Sequence, residues 1–198
     1  ADGSIVAPAS NCGLVAIKPT SRAAGGQGGE PATAGPMAPS VREAAWLLAA
    51  LTGERLADGL ALDLAGLQGR RIGVARSLFG LCAETDAVIE QALLVLREQG
   101  AELIDPPHAS VSGGIEALLR SHALDALVGP TCHGVSPQSD LPHITVPAGM
   151  AGGSPVGLSF IGPAHGDLPL IAMAYAYEQA TLHRRTPALP SSITLALR

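Results

Sequence analysis

The sequence predicts an α/β layered fold of the αβα type on a mainly parallel or mixed central sheet. Three observations lead there. Short apolar runs at Arg71–Ala75, Ala101–Ile104 and Asp125–Gly129 alternate with two amphipathic stretches, and that strand–helix–strand–helix–strand order suits a sheet covered by helices. The 198 residues are 47% hydrophobic and only 15% charged, a balance that folds around a core. Aromatics are scarce at 3%, while 24 glycines and 16 prolines punctuate the chain, so Ala, Leu, Val and Ile fill the interior between frequent turns.

Residues 1–20 hold short apolar runs broken by Gly, Pro and Ser, and Ile5–Val6 and Leu14–Ile17 read as strand pieces or a tight loop beside a strand. Residues 21–36 contain almost no large apolar side chain and read as a flexible loop. Their GGQGG lacks the Lys-Ser/Thr of a phosphate loop. Ser40 and Glu43 form a capping-box pair, Val41, Ala44, Ala45, Leu48 and Leu51 fall on one helical face, and Gly53 ends that helix. After a connector at 54–68 and the strand at 71–75, Thr85 or Asp86 opens a second helix that directs Val88, Ile89, Ala92, Leu93 and Leu96 inward and stops at Gly100. A polar, proline-containing joint at 105–112 precedes a helix over Gly114–His122 and the strand at 125–129. A loop over 130–142 leads to strands at His143–Pro147 and Val156–Gly162, and Asp167 caps a last helix reaching about His183. The whole is one domain over 1–198, without an internal repeat.

The net charge of −5 and the lack of a basic stripe argue against nucleic acid as a partner. No apolar run is long enough for a membrane span and no signal peptide opens the chain, so a cytoplasmic location is expected. Cys12, Cys82 and Cys132 are odd in number and lack CxxC spacing, which reads as reduced thiols. Nothing points to a metal, nucleotide or flavin, and no cofactor is expected.

The chemistry concentrates at the start. In Asp2-Gly3-Ser4, glycine frees the backbone for a tight turn, and the serine hydroxyl can stand beside exposed N–H groups. A nucleophile next to an oxyanion hole needs that arrangement. A Gly-Ser turn of no catalytic consequence fits the same spacing.

The segments DGSIVAPASNCGLVAIKPT, AGPMAPSVREAAWLL, LQGRRIGV, REQGAELID, GIEALLRSHALDALVGPT, LPHITVPAGM and SPVGLSFIGPAHGDLPLIAMAYAYEQAT follow one another in order. Together they resemble the amidase-signature family, its peptide-amidase-like members above all, over nearly the whole chain. The resemblance implies that fold, here incomplete at its amino-terminal side. By position it implies Ser4 as the acylating serine, with Ala1, Asp2, Gly3 and Ser4 supplying the oxyanion-hole N–H groups. It implies a small-molecule or peptide amide as substrate: serine attacks the amide, the amine leaves, and water releases the acid. It also implies a second serine on a cis peptide and a lysine base, both preceding the nucleophile.

Neither stands ahead of Ser4 in these 198 residues. The single lysine, Lys18, belongs to the IKPT block. The segment between Ile104 and Gly114, and the loop after Thr20, are shorter than in the family. The expectations are a weak or inactive chain, a non-catalytic or complementing fragment, or the A-type component of a glutamyl-tRNA amidotransferase. A partial sheet would leave edges that favour homo-oligomers. Lys18 and the amino group of Ala1 are weak substitutes for the base. His122, His133 and His143 flank strand ends but read as solvent-facing or capping residues, and adjacent Cys132 and His133 do not make a catalytic pair. Tyr175, Tyr177 and Met173 read as packing, and Arg184 and Arg185 as cations near a helix carboxyl end.

Overall fold

The computed structural model describes residues 2–20, 34–53, 62–106, 114–131 and 141–187. Among them, five α-helices and seven strands follow the order α1 (Asp2–Asn11), β1 (Val15–Lys18), β2 (Met37–Ala38), α2 (Val41–Thr52), β3 (Arg71–Val74), α3 (Ala83–Glu98), β4 (Glu102–Ile104), α4 (Gly114–Ser121), β5 (Ala126–Pro130), β6 (His143–Ala151), β7 (Ser154–Ile161) and α5 (Asp167–Thr181). The strands form one sheet in the order β2-β1-β6-β7-β5-β3-β4. The sheet is mixed, as expected. Its parallel part is the β4–β3–β5 unit, whose strands are joined by α3 and α4, and the remaining pairs are antiparallel.

Strand alternation gives the sheet two unlike faces. One carries Val15, Ile17, Ile72, Val74, Val128, Ile144, Val146, Leu158 and Phe160, and α2, α3 and α5 cover it to make the main core. The other carries two smaller clusters. Leu118 and Leu119 of α4 pack with Leu127 and Ile161, and Ile5, Val6 and Ala9 of α1 pack with Ala16.

Helix α2 is capped as its sequence requires. Ser40 Oγ accepts the Glu43 N–H at 3.3 Å and donates to Glu43 Oε2 at 2.7 Å, and Gly53 ends the helix in the left-handed region at φ 71°. Leu51, expected inward, is 59% exposed. Its position lies roughly 70° around the helix from the centre of the stripe of Val41, Ala44, Ala45 and Leu48, and Thr52 falls nearer that centre. Helix α3 starts at Ala83, before the expected Thr85, with Cys82 at its N-cap position. Asp167 is the first residue of α5 and does not cap it. Its carboxylate accepts the Thr20 N–H at 2.9 Å and the Thr20 hydroxyl at 2.6 Å, tying the end of β1 to α5.

Two corrections concern backbone class. Ile5–Val6 lie in helix α1, not in a strand, although Pro8 sits inside that helix. Packing of Ile5, Val6 and Ala9 on Ala16 outweighs the β-branched pair and the proline, both poor helix formers. The two last strands are longer than their apolar runs and form one hairpin. Ala151 pairs with Ser154 across Gly152-Gly153, whose φ values of 54° and 83° fit a primed two-residue turn. The expected loop at 21–36 and joint at 105–112 lie largely outside the described residues.

Candidate active site

The Ser4 end of α1 is positioned by a tight reversal at Cys12–Gly13. The Leu14 N–H returns to the Ala9 carbonyl at 2.9 Å and Gly13 N–H to the Ser10 carbonyl at 3.0 Å, so α1 runs back along β1. Ser10 Oγ lies over Gly157, and Ile5 lies beside Ile17 and Gly35. The amino-terminal turn of α1 therefore faces the Lys18 end of β1. Ser4 is exposed in that turn. Asp2, Gly3 and Ser4 form the first turn of the helix, where the macrodipole puts partial positive charge. Such an end can hold an oxyanion beside a nucleophilic hydroxyl.

Beneath α1 the sheet is polar. Thr145 pairs with Ala16 of β1 and with Ser159 of β7, so all three share this face. Thr131 Oγ1 bonds to Thr145 Oγ1 at 2.7 Å and Ser159 Oγ at 2.8 Å, and His143 Nε2 bonds to Ser159 Oγ at 2.8 Å. A Cβ at Gly157 would collide with the hydroxyls of Ser10, Thr131 and Thr145, so glycine is required where α1 crosses the hairpin. Lys18 faces the same side, is 1% exposed, and donates from Nζ to the Leu141 carbonyl.

The expected site residues separate as follows. Ala1 lies outside the described residues. Asp2 and Gly3 place their backbone in the first turn of α1, and Ser4 exposes itself there. Lys18 is buried against the β6 side and is not a surface amine. His143, expected at the surface or as a cap, is 4% exposed in the polar band, because a strand end beneath a helix is interior. His122 is half-buried after α4, and Cys132 and His133 lie outside the described residues. Tyr175 and Tyr177 are core residues. Arg42 Nη2 donates to the Tyr175 hydroxyl at 2.7 Å, and burial raises the Tyr177 phenol pKa above its ordinary value. Cys12 and Cys82 are free thiols, and no group of three metal-ligating side chains occurs among the described residues. No described helix is long and apolar enough to cross a membrane.

Sequence reasoning missed the hydroxyl band and the Thr20–Asp167 clasp. The band had a signal: His143, Thr145 and Ser159 are polar residues on one face of otherwise apolar strands. The clasp had none, since its partners are 147 residues apart.

The sequence profile of amidases matches residues 1–128. The chain belongs to the amidase family. The structure of peptide amidase from Stenotrophomonas maltophilia superposes with a TM-score of 0.77 at 27% identity, covering 96% of this chain and 63% of that one. An amidase family protein from Bacillus anthracis, at 22% identity and a TM-score of 0.79, shares the fold over 95% of this amidase chain and 57% of its own. Among curated proteins, the A component of glutamyl-tRNA(Gln) amidotransferase from Roseiflexus castenholzii is 36% identical over 125 residues, 54% of this chain and 26% of its own length. This amidase chain thus spans less than two thirds of each relative.

Proposed function

We propose that this chain carries the nucleophile and oxyanion-hole portion of an amide-hydrolysing enzyme, with Ser4 as the acylating residue. The observation that carries the reading is an exposed serine in the first turn of α1, at the positive end of the helix dipole. Ser4 Oγ would attack the amide carbon. The N–H groups of Ala1, Asp2, Gly3 and Ser4 would hold the resulting oxyanion, the C–N bond would break with protonation of the amine, and water would then cleave the ester. Each half-reaction needs a group that takes and returns the hydroxyl proton. Lys18 is a poor choice, because its Nζ is buried and already donates to the Leu141 carbonyl. The lysine and second serine that the family uses have no counterpart ahead of Ser4 in these residues.

General-base help is worth roughly 10²–10⁴-fold, so the chain by itself should acylate slowly. Incubation with a fluorophosphonate followed by peptide mass spectrometry should find slow labelling at Ser4 that Ser4→Ala removes. Labelling at another residue defeats the assignment of Ser4. Rapid stoichiometric labelling would instead show that the chain needs no further base. The reading as a complementing portion of a larger enzyme draws support from the 63% coverage of peptide amidase. The amidotransferase relatives extend the substrate class to amide donors used in transfer.

A further inference from the structure

A cavity of about 190 Å³ opens between the start of α2, strand β6 and the segment after α5. It lies on the sheet face opposite α1: Thr145 points toward α1, so its neighbour Val146 points into the main core. Val146, Pro147 and Leu182 give the cavity apolar walls, and Glu178, His183 and Arg184 bring ionisable groups to it.

These three groups are not equivalent. Glu178 is committed: Oε1 accepts the Val41 N–H at 2.8 Å and Oε2 accepts the Gln179 side-chain amide at 3.2 Å. Its carboxyl sits at the amino-terminal end of α2, and burial pushes its pKa upward. Burial, aided by Arg185, lowers the His183 pKa and favours the neutral ring. Arg184 has no such commitment. Its Nε–H is buried without an acceptor, and no carboxylate among the described residues pairs with its guanidinium. A buried, unmatched donor at the edge of an apolar cavity calls for an anionic acceptor with an apolar body.

We propose that this cavity is a second ligand site, separate from Ser4, for a small aliphatic carboxylate. The carboxylate would lie on the Arg184 guanidinium and the alkyl chain against Val146, Pro147 and Leu182. A planar guanidinium matches a carboxylate better than a neutral carbonyl, and Arg184 with Arg185 would repel an amine. The proposal stands independently of the role given to Ser4.

Butyrate, butyramide and butylamine, matched in size, test it by calorimetric titration of the full 198-residue chain at pH 7 and constant ionic strength. Butyrate should saturate one site and the other two should not. Arg184→Gln should weaken butyrate roughly tenfold or more, the loss expected for a charged hydrogen bond. Arg184→Lys, which keeps the charge, should weaken it less, and Ser4→Ala should bind as the parent does. Melting curves check that each variant folds. If Arg184→Gln does not fold, Leu182→Trp at the exposed rim should block the site. Absence of saturable butyrate binding, equal binding of butyramide, unchanged affinity in a folded Arg184→Gln or blocked Leu182→Trp chain, or loss of binding in Ser4→Ala would overturn the proposal.

Discussion

Glu178 shows how one residue links packing to pH. The residue is 9% exposed and its carboxyl pKa is raised, with burial the largest cause and the Val41 N–H working against it. Because the folded state holds the proton to higher pH than the unfolded chain, the group favours folding most below its ordinary carboxyl range. That contribution is lost as pH rises from there through the raised folded value, with a slope of no more than about 1.4 kcal/mol per pH unit. Glu178→Gln keeps an oxygen for Val41 and removes the titration. Urea melts between pH 4 and 8 should therefore show the parent losing stability relative to the variant as pH rises, and parallel curves would refute it. Nothing in the local sequence marked Glu178, because the helix end that it serves lies 137 residues away. Ser4 was singled out as a candidate through resemblance, and its placement at a helix start came only with the fold. Lys18, equally visible as the single lysine, shows the reverse, since its burial depends on β6 and Leu141.

At the scale of elements, legibility followed how local the cause was. Helix α2 has its start, stripe and stop written within fourteen residues, from Ser40 to Gly53, and α3, β3, β4 and β5 likewise follow from periodicity and flanking turns. Ser40→Ala should cost about 1 kcal/mol, the usual worth of an N-cap side chain, read as a shift in urea midpoint at constant slope. A midpoint unchanged within error would mean that Glu178, by binding the Val41 N–H, already satisfies that helix end without Ser40. Helix α1 and the β6–β7 hairpin resisted a local reading for opposite reasons. In α1, local signals favour a strand and a tertiary contact wins. In the hairpin, Met150, Ala151, Ser154 and Pro155 have no apolar alternation, and pairing extends through them because the glycine turn sets the register.

Across the whole molecule, the asymmetry of the two sheet faces should set where the protein opens. The main core joins three helices to one face, with Phe160 fully buried and its ring 6.0 Å from that of Tyr177. Phe160→Ala should cost about 3–5 kcal/mol, a large share of the ~5–15 kcal/mol that holds a domain folded, and should lower global stability. Among the described residues, the α1 cluster is built from the buried Ile5, Val6, Ala9 and Ala16, and it lies over a band in which the hydroxyls of Thr131, Thr145 and Ser159 bond to one another. The helix that presents Ser4 is thus the weaker-held layer, and its opening should not require the main core to separate. Ile5→Ala should raise hydrogen exchange in α1 while leaving the amides of β6 and β7 at their original protection, whereas Phe160→Ala should raise exchange in both. If Ile5→Ala instead raised exchange in β6 and β7 as much as in α1, the two faces would form one cooperative unit, and the segment bearing Ser4 would be as rigid as the core beneath it.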